Sequence, residues 1–390
     1  MAAEGRFERL GRNERAVMRL VRDAGPCSRT ALAAQLGLSA TTITKTAAPL
    51  LARGYLTEHD TGGGAGIGRP AIPLAAVPEA VTVCGVQLGV GAAAIGLADG
   101  RARVRLERSM AIDPGLGAPA VLDLVAAAVA GILARDGGAP CIAVGVAAPG
   151  PVDPGRRINL MSVNLGWRDV PVAERLEAKL GIPVHVDHNV RTMALAETLY
   201  GGTDVRDLAY VYVRTGVGLG LVLDRRPFYP GLHGLSELGH LRAVEDGAAC
   251  ACGARGCLET VLSEPHLLGR ARDAGLLGDG PAHARGVLTV VESAAGSGSR
   301  AAVAIRADVV HHLSNALAGV VNLFNPRRIV LGGIFEAAPE PLLADIRAAT
   351  KRVVFPFLRE EFRIERPALP SPGVAGGAAL ALEAVLYGPS

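Results

Sequence analysis

A histidine and three cysteines lie close together in ELGHLRAVEDGAACACGARGCLE, residues 237–259, and these residue types bind metal ions. Nine residues separate the histidine from the first cysteine, and the cysteines follow the pattern Cys-x-Cys-x4-Cys. One imidazole and three thiolates make a closed tetrahedral zinc site that leaves no position for a reacting water. Outside secreted proteins such a cluster indicates a metal before a disulfide. We therefore predict a structural zinc ion bound by His240, Cys250, Cys252 and Cys257.

Two carboxylates accompany the predicted zinc loop. Glu237 precedes His240 by three residues, and Glu259 follows Cys257 by two. A zinc ion would fix this loop and, through His240, orient the groups beside it. Both carboxylates can then accept hydrogen bonds from the hydroxyl groups of a ligand. The alternative is that both are ordinary surface carboxylates.

The stretch VDHNVRTMALAE, residues 186–197, is typical of a small-molecule site, because a short apolar strand is followed by a polar cluster and an alanine-rich helix. From Val81 onward, similar β-rich runs alternate with helical segments. Among these runs are VTVCGVQL, CIAVGVA, PVHV, AYVYV and RIVLGG. The alternation predicts an α/β body in which a ligand binds in a cleft near the strand ends.

Residues 13–56 form a separate head with the pattern of three helices and a strand. Asn13, Ser28 and Ser39 stand where helix N-caps are expected, and Gly37 follows the second helix. Two short helices joined by a glycine-containing turn predict a helix–turn–helix motif, whose second helix enters the major groove of DNA. The strand GYLTEHD, the tip TGGGAGIG and the return RPAIPLAA complete a winged helix. A three-helix head that binds protein is the alternative.

The third helix of the head, ATTITKTAA, is predicted to present one face to DNA. Ile43 and Ala47 should face inward. Pro49 removes a backbone donor late in the helix, so the helix should either end near Ala48 or bend there. The DNA contacts expected on the outer face and at the wing come from Ser39, Ala40, Thr41, Thr42, Thr44, Lys45 and Arg69.

The charge of the chain is unevenly distributed. Residues 1–70 contain ten Lys and Arg and six Asp and Glu, a net charge of +4; the whole chain carries +3, so the remainder carries −1. A basic head on a nearly neutral body is typical of a nucleic-acid contact, although charged runs are often only solvated surface. No uncharged apolar run approaches the length of a bilayer span, and the N-terminus lacks a signal-peptide core. We therefore expect a cytoplasmic protein with no membrane partner.

The head and the motifs CSRTALAAQLGLS, GRP, PGPVDP, NLGW, ELGH and CACGARGCLE, in this order, resemble the ROK family of bacterial sugar repressors, open reading frames and sugar kinases. The resemblance covers residues 12–387. It implies an α/β fold with an N-terminal winged helix–turn–helix and a two-lobed, actin-like or sugar-kinase-like body of the ribonuclease H-like type. The implied domains are the head at 1–72, a linker at 73–80, an N-lobe at 81–200 to which a helix at 373–387 returns, and a C-lobe with the zinc loop at 201–372.

The resemblance also implies an effector site that lacks kinase chemistry. Family kinases carry an Asn–Asp pair at positions 188 and 189, and the aspartate accepts the proton of the sugar hydroxyl. Asn189 has no titratable acceptor near neutral pH, and Gln87 stands where the first phosphate loop of the family has an aspartate. The glycines of the second loop, RTGVGLG, remain but are unspecific. We therefore predict that phosphoryl transfer from ATP is lost while ligand binding persists. The implied effector contacts are Asn164, His188, Asn189, Glu237, His240 and Glu259.

These features predict a ROK-type transcriptional regulator that acts as a repressor and is not an enzyme. A homodimer or homotetramer would bind an operator duplex, and a carbohydrate or sugar derivative between the lobes would change the spacing of the heads. An active sugar kinase with a DNA-binding head and an effector-independent regulator remain as alternatives. The apolar stripe of residues 304–326 is either part of the subunit interface or an ordinary buried helix. Trp167, the only tryptophan, is expected in core or hinge packing rather than as a sugar platform.

Overall fold

The computed structural model describes residues 10–59, 72–202, 205–277 and 286–388. The head contains three helices and a two-stranded antiparallel wing: α1 Arg12–Ala24, α2 Arg29–Leu36, α3 Ala40–Ala52, β1 Leu56–Glu58 and β2 Leu74–Ala76. β2 falls within 73–80, the stretch predicted as the linker, so the wing extends into that stretch. Arg69 and the predicted wing tip lie outside the described residues.

Serine side chains cap the second and third helices of the head. The Ser28 hydroxyl accepts the N–H of Ala31, and the Ser39 hydroxyl accepts the N–H of Thr42, each at 3.1 Å. Gly37 ends α2 in the left-handed conformation, with φ of 64°. These caps confirm the predicted limits of the helix–turn–helix, because capping depends only on residues adjacent in sequence.

The start of α1 and the end of α3 depart from the simplest local rules. α1 follows Gly11, whose N–H donates to the Glu14 carboxylate at 2.6 Å, so the predicted cap at Asn13 is wrong. α3 continues through Pro49 and ends at Ala52, although proline lacks the backbone N–H that a helix uses as a hydrogen-bond donor. Burial of Leu50 in the head core holds this last turn in place.

The N-lobe is built on a five-stranded sheet of β3 Thr82–Leu88, β4 Ala92–Ala98, β5 Val104–Ala111, β6 Cys141–Ala148 and β10 Val184–His188. The strand order is β10-β6-β3-β4-β5, with β6 parallel to β3 and β10 and the remaining pairs antiparallel. The lobe also contains α4 Ala118–Leu133, α5 Val172–Leu180 and a small sheet of β7 Val152–Asp153, β8 Ile158–Ser162 and β9 Trp167–Val170. Trp167 is buried in the core of this lobe, which confirms its predicted packing role.

The C-lobe sheet consists of β11 Leu208–Val213, β12 Val217–Leu223, β13 Arg226–Pro227, β14 Arg328–Gly333 and β15 Arg363–Glu365. Its order is β13-β12-β11-β14-β15, in which β11, β14 and β15 are parallel. The helices of this lobe are α7 Glu259–Leu262, α8 Glu264–Asp273, α9 Val287–Gly296, α10 Arg300–Phe324 and α11 Glu340–Val353.

The apolar stripe predicted at residues 304–326 lies on α10. Ile305, Val309, Leu313 and Leu317 repeat every four residues and are buried in the core of the C-lobe. This stripe therefore belongs to a buried helix, the second of the two predicted alternatives. No helix in the described ranges, α10 included, combines the length and the apolar character needed to cross a bilayer.

Two helices, α6 Asn189–Tyr200 and α12 Pro372–Leu382, pack against each other between the lobes. α12 covers the N-lobe sheet, and α6 also packs against β11 and β12 of the C-lobe. Glycines permit this close packing, because a β-carbon at Gly85 or Gly145 would collide with the backbone of α12. α12 runs directly into one π-helical turn, Glu383–Tyr387. The end of the chain thus completes the N-lobe.

Candidate metal centre, ligand cleft and DNA interface

The four predicted metal ligands come together in one loop of the C-lobe. The Nδ1 atom of His240 is 3.7 Å from the Sγ atom of Cys250. The Sγ atoms of Cys252 and Cys257 are also 3.7 Å apart, and the four ligand atoms all lie within 4.8 Å of one another. Tetrahedral zinc with Zn–S bonds of about 2.3 Å separates its sulfur ligands by about 3.8 Å. The cluster therefore fits a closed zinc site in distance and in ligand type.

Backbone hydrogen bonds and two glycines shape this metal loop. The N–H of Cys250 donates to the carbonyl of Ala254 at 2.8 Å, and the N–H of Gly253 donates to the carbonyl of Cys250 at 3.0 Å. Gly253 and Gly256 have φ values of 92° and 70°, a region that favours glycine. A β-carbon at Gly256 would also collide with the carbonyl of Val244. The pattern Cys-x-Cys-Gly-x-x-Gly-Cys thus brings the thiols to one point.

His240 connects the metal cluster to the predicted ligand cleft. Its Nδ1 atom faces Cys250, whereas its Nε2 atom lies 3.9 Å from a carboxylate oxygen of Glu237. Burial raises the pKa of Glu237. The nearby Glu259 carboxylate adds to this rise, whereas His240 opposes it. An imidazole bound to metal through one nitrogen keeps a fixed orientation and can donate a hydrogen bond from the other. Glu237 is therefore close to both His240 and Glu259, while 45% of its side chain remains exposed.

Glu259, at the start of α7, is held by the main chain of the second glycine loop. Its carboxylate accepts the N–H of Val217 at 3.2 Å. A β-carbon at Gly216 would lie 2.6 Å from this carboxylate and 4.0 Å from the amide nitrogen of Asn164, which belongs to the N-lobe. The cleft between the lobes therefore brings together four predicted effector contacts, Asn164, Glu237, His240 and Glu259.

His188 and Asn189 lie at the junction between β10 and α6. The side-chain oxygen of Asn189 accepts the N–H of Val190 at 2.8 Å. An amide can form such hydrogen bonds but cannot act as a base near neutral pH. Burial lowers the pKa of His188 to about 4, a shift that Arg191 increases and Asp187 opposes. The neutral imidazole therefore offers one hydrogen-bond donor and one acceptor.

The glycines of RTGVGLG are explained by helix packing. A β-carbon at Gly218 would collide with the side chain of Val190, and one at Gly220 would collide with the backbone of Val190. Because Val190 follows Asn189, these glycines bring β12 directly against the start of α6. Their presence therefore does not require a bound phosphate.

A buried ion pair behind His188 is the main feature that sequence reasoning missed. Asp187 and Arg191, whose side chains are each 3% exposed, are joined by two hydrogen bonds. The hydroxyl of Tyr229 donates to Asp187 at 2.7 Å, and its ring lies 4.1 Å from the Arg191 guanidinium. Arg191 also donates to the carbonyl of Gly234, which ties the loop after β13 to the start of α6. The i,i+4 spacing of the pair was the only signal in the sequence, and surface pairs share it.

Gln87, at the position of the family's first phosphate loop, and Gly333, at the end of the glycine-containing strand RIVLGG, both have protein partners. Gln87 donates to the hydroxyl of Tyr212 at 3.2 Å and so links the sheets of the two lobes. Its side chain also fills the space beside Gly373 at the start of α12, where an added β-carbon would collide with it. In the C-lobe, the Glu336 carboxylate accepts the N–H of Gly333 at 2.8 Å. Phosphate groups bind to backbone N–H groups of this kind. The N–H of Gly333 already has an anionic partner, the Glu336 carboxylate.

The exposed face of α3 carries residues predicted to contact DNA. Ile43 and Ala47 are fully buried, which confirms the predicted inner face. The Thr44 hydroxyl donates to the carbonyl of Ala40 at 3.0 Å, while Thr42 is half-buried. Small polar groups at the start of an exposed second helix suit contact with base edges and phosphates. The predicted contacts that are exposed are Ser39, Ala40, Thr41, Thr44 and Lys45.

The fold and the cleft define a two-lobed, actin-like architecture of the sugar-kinase type that carries a helix–turn–helix head. The model of the ROK family matches residues 83–384, and the chain belongs to the ROK family.

Two curated relatives match nearly the whole chain. This chain is 28% identical over 383 residues to the DNA-binding transcriptional repressor Mlc of Escherichia coli K12, and the match covers 96% of this chain and 94% of Mlc. It is 30% identical over 386 residues to the DNA-binding transcriptional dual regulator NagC of the same strain, covering 96% and 93%.

Solved structures of the family include regulators and enzymes. A ROK family transcriptional regulator, described as a homologue of the E. coli Mlc protein, superposes with a TM-score of 0.79 and 26% identity and covers 96% of both chains. A ROK family glucokinase from Streptomyces griseus, in complex with glucose and AMPPNP, superposes with a TM-score of 0.67 and 29% identity. That match covers 77% of this chain and 99% of the glucokinase.

Proposed function

We propose that this chain is a DNA-binding transcriptional repressor whose kinase-like body binds a carbohydrate effector without phosphorylating it. The observation that carries the proposal is the combination of an exposed recognition helix with a sugar-kinase-type cleft whose base position holds the amide of Asn189. The nearly full-length similarity to Mlc and NagC supports it.

The head is proposed to bind double-stranded DNA through the start of α3 and through Arg69. A homodimer or homotetramer would place two heads on an inverted repeat, with half-sites about one helical turn apart. Lys45 and Arg69 would neutralise phosphates, so the affinity should fall steeply with salt. A regulator of this kind acts where the chromosome lies, in the cytoplasm.

The charge of the cleft favours an uncharged sugar as the effector. Glu237 and Glu259 can accept hydrogen bonds from sugar hydroxyls, and the neutral imidazole of His188 can donate or accept one. A phosphate group would be repelled by both carboxylates. We therefore infer that a free sugar binds more tightly than the corresponding sugar phosphate.

Zinc is proposed as a structural ion at His240, Cys250, Cys252 and Cys257. When bound, it would fix the loop that carries both cleft carboxylates and would set the orientation of the His240 ring. We also propose that the chain has no sugar-kinase activity, because Asn189 cannot accept a proton and Gln87 cannot hold a phosphate-bound metal ion as an aspartate does.

Thermal unfolding of the full chain with glucose, N-acetylglucosamine and the 6-phosphates of both tests the effector proposal. A free sugar at 100 times its Kd should stabilise the protein by about 2.7 kcal/mol, and its 6-phosphate at the same concentration should stabilise it less. Any stabilising sugar should also release the operator duplex selected by the wild-type protein from a random library. Glu259→Gln is the matched variant that should lose the sugar response but keep DNA binding. A sugar phosphate that stabilises more than its parent sugar would contradict the charge argument.

The similarity to the Streptomyces griseus glucokinase favours one second candidate, an active sugar kinase with a DNA-binding head. Its distinguishing result is ADP release that depends on sugar and disappears in Asn189→Ala. Our proposal expects no sugar-dependent ADP release from the wild-type chain or from Asn189→Ala.

A further inference from the structure

The side chain of Arg22, on α1 of the head, is buried among residues that are distant in sequence, and only 5% of it is exposed. Its guanidinium donates hydrogen bonds to the Glu383 carboxylate and to the hydroxyl of Tyr200, the latter at 3.3 Å. It also lies 4.6 Å from the centre of the Tyr387 ring and donates to Asp23 at 2.7 Å. One buried cation therefore joins the head to the end of α6 and to the end of the chain.

The residues around this cation belong to the head and to both lobes. Asp23 lies 3.8 Å from the guanidinium of Arg225, in the C-lobe hairpin between β12 and β13. Tyr387 donates to the carbonyl of Gly100, in the N-lobe, at 2.7 Å. A movement of one lobe relative to the other therefore changes the surroundings of Arg22. We name the Arg22 cluster for its members Arg22, Asp23, Tyr200, Arg225, Glu383 and Tyr387.

Two helices lead from the ligand cleft to the Arg22 cluster. α6 begins at Asn189, beside the cleft, and ends at Tyr200, and twelve helical residues span about 18 Å. α12 begins beside Gln87 and leads directly to Glu383. α12 packs against the N-lobe sheet, so it is expected to move with that sheet. α6 lies between α12 and the C-lobe strands β11 and β12, so it forms the junction between the two lobes.

We propose that Arg22 couples the ligand cleft to the DNA-binding head, because its contacts convert a displacement of α12 and the N-lobe relative to the C-lobe into a change in head orientation. This inference rests on the proposed function, which supplies the ligand and the DNA. Charge-assisted hydrogen bonds and cation–π contacts depend on distance and direction, so small displacements redistribute them among the acceptors of the cluster. A residue that only attached the head would leave the response to ligand unchanged when replaced.

The test uses a double variant and a charge control. Arg22→Gln alone leaves the Glu383 carboxylate buried without its partner, which is destabilising, so Arg22→Gln is combined with Glu383→Gln. Arg22→Lys is a second variant, because it keeps the charge but loses the planar guanidinium. Arg12→Gln is the control, since Arg12 is exposed on the same helix and its loss removes the same charge from the head.

The first measurement needs no sugar. Amide hydrogen exchange of the full chain is followed with and without the operator duplex, and coupling is reciprocal between binding sites. In the wild type and in Arg12→Gln, DNA should slow exchange in the head and also in Asn189–Tyr200 and Glu383–Tyr387. In the double variant, the head should stay protected while the effect on the two remote segments falls by at least about tenfold. Remote protection that is unchanged in the double variant, or absent in the wild type, would overturn the coupling.

The second measurement is the ratio of operator Kd values with and without saturating glucose or N-acetylglucosamine. A wild-type ratio of about five or more should fall to within about twofold of one in the double variant and in Arg22→Lys. Isothermal titration calorimetry without DNA should give the same sugar Kd for all proteins. A ratio that stays at the wild-type value would refute the role of Arg22 while the proposed function stands. If no sugar changes the wild-type affinity, the effector proposal fails, and the exchange experiment alone decides the coupling.

Discussion

Acidification should destabilise the N-lobe through His188. Burial holds the pKa of this imidazole at about 4, compared with an ordinary value of 6.5, and Arg191 adds to the shift while Asp187 opposes it. As the pH falls below 6.5, the unfolded chain therefore binds a proton that the folded chain does not accept. The corresponding stability is complete above pH 6.5 and is lost progressively as the pH falls toward 4.

The size of this loss follows from the two pKa values. At pH 5, nearly all unfolded His188 side chains are protonated, compared with about one tenth of the folded ones, and this difference costs about 2 kcal/mol. At pH 4 and below, the loss approaches about 3 kcal/mol, since one pKa unit corresponds to about 1.4 kcal/mol.

Urea unfolding of the full chain at pH 7 and pH 5 measures this loss. Fluorescence reports on the correct lobe, because Trp167 is the only tryptophan and is buried in the N-lobe core. His188→Gln is the matched variant, since it removes the titrating group and keeps a hydrogen-bonding side chain. Between the two pH values, the wild type should lose about 2 kcal/mol more than the variant, while the other histidines and the metal loop contribute equally to both. Equal losses in the two proteins would refute the conclusion that folded His188 stays neutral.

Three further perturbations test the metal loop, the helix packing and the DNA face. Cys252→Ser should lower the zinc content from about one ion per chain to nearly none and should destabilise the C-lobe; unchanged zinc by elemental analysis would contradict the four-ligand site. Gly220→Ala should destabilise the chain by about 1–3 kcal/mol, because its β-carbon collides with the backbone of Val190. The matched change Gly131→Ala, on the exposed face of α4, should instead stabilise it by about 1 kcal/mol, and equal thermal shifts would argue against the packing explanation. Lys45→Ala should weaken operator binding and reduce the slope of log Kd against log salt by about the contribution of one phosphate contact. An unchanged slope would show that Lys45 is not part of the interface.

Features that depend on neighbouring residues could be predicted from the sequence. The caps at Ser28 and Ser39 follow from a hydroxyl three residues before an N–H. The burial of Ile43 follows from helical periodicity, and the close approach of the metal ligands follows from the short loop that carries them. Even between near neighbours, one interaction can override another: the Glu14 carboxylate accepts the N–H of Gly11 and makes Gly11, rather than Asn13, the N-cap of α1.

Contacts between distant residues could not be predicted in the same way. Arg22 and Glu383 are 361 positions apart, and Gln87 and Tyr212 are 125 positions apart. The chain contains 40 Lys and Arg and 37 Asp and Glu, so a single sequence does not indicate which charges pair. The fold selects the pairs by bringing particular strand ends and helix ends together.

The packing of α12 against β3 and β6 has a consequence for protein synthesis. The helix that covers these strands follows them by more than 200 residues, so both remain uncovered while the C-lobe is being translated. The carboxylate and the aromatic ring that hold Arg22 are made later still, in the turn Glu383–Tyr387. The N-lobe and the attachment of the head are therefore completed at the same late stage of translation. We expect a nascent chain that stops before Pro372 to have no aligned head, so unfinished repressor would not compete with finished repressor for operators.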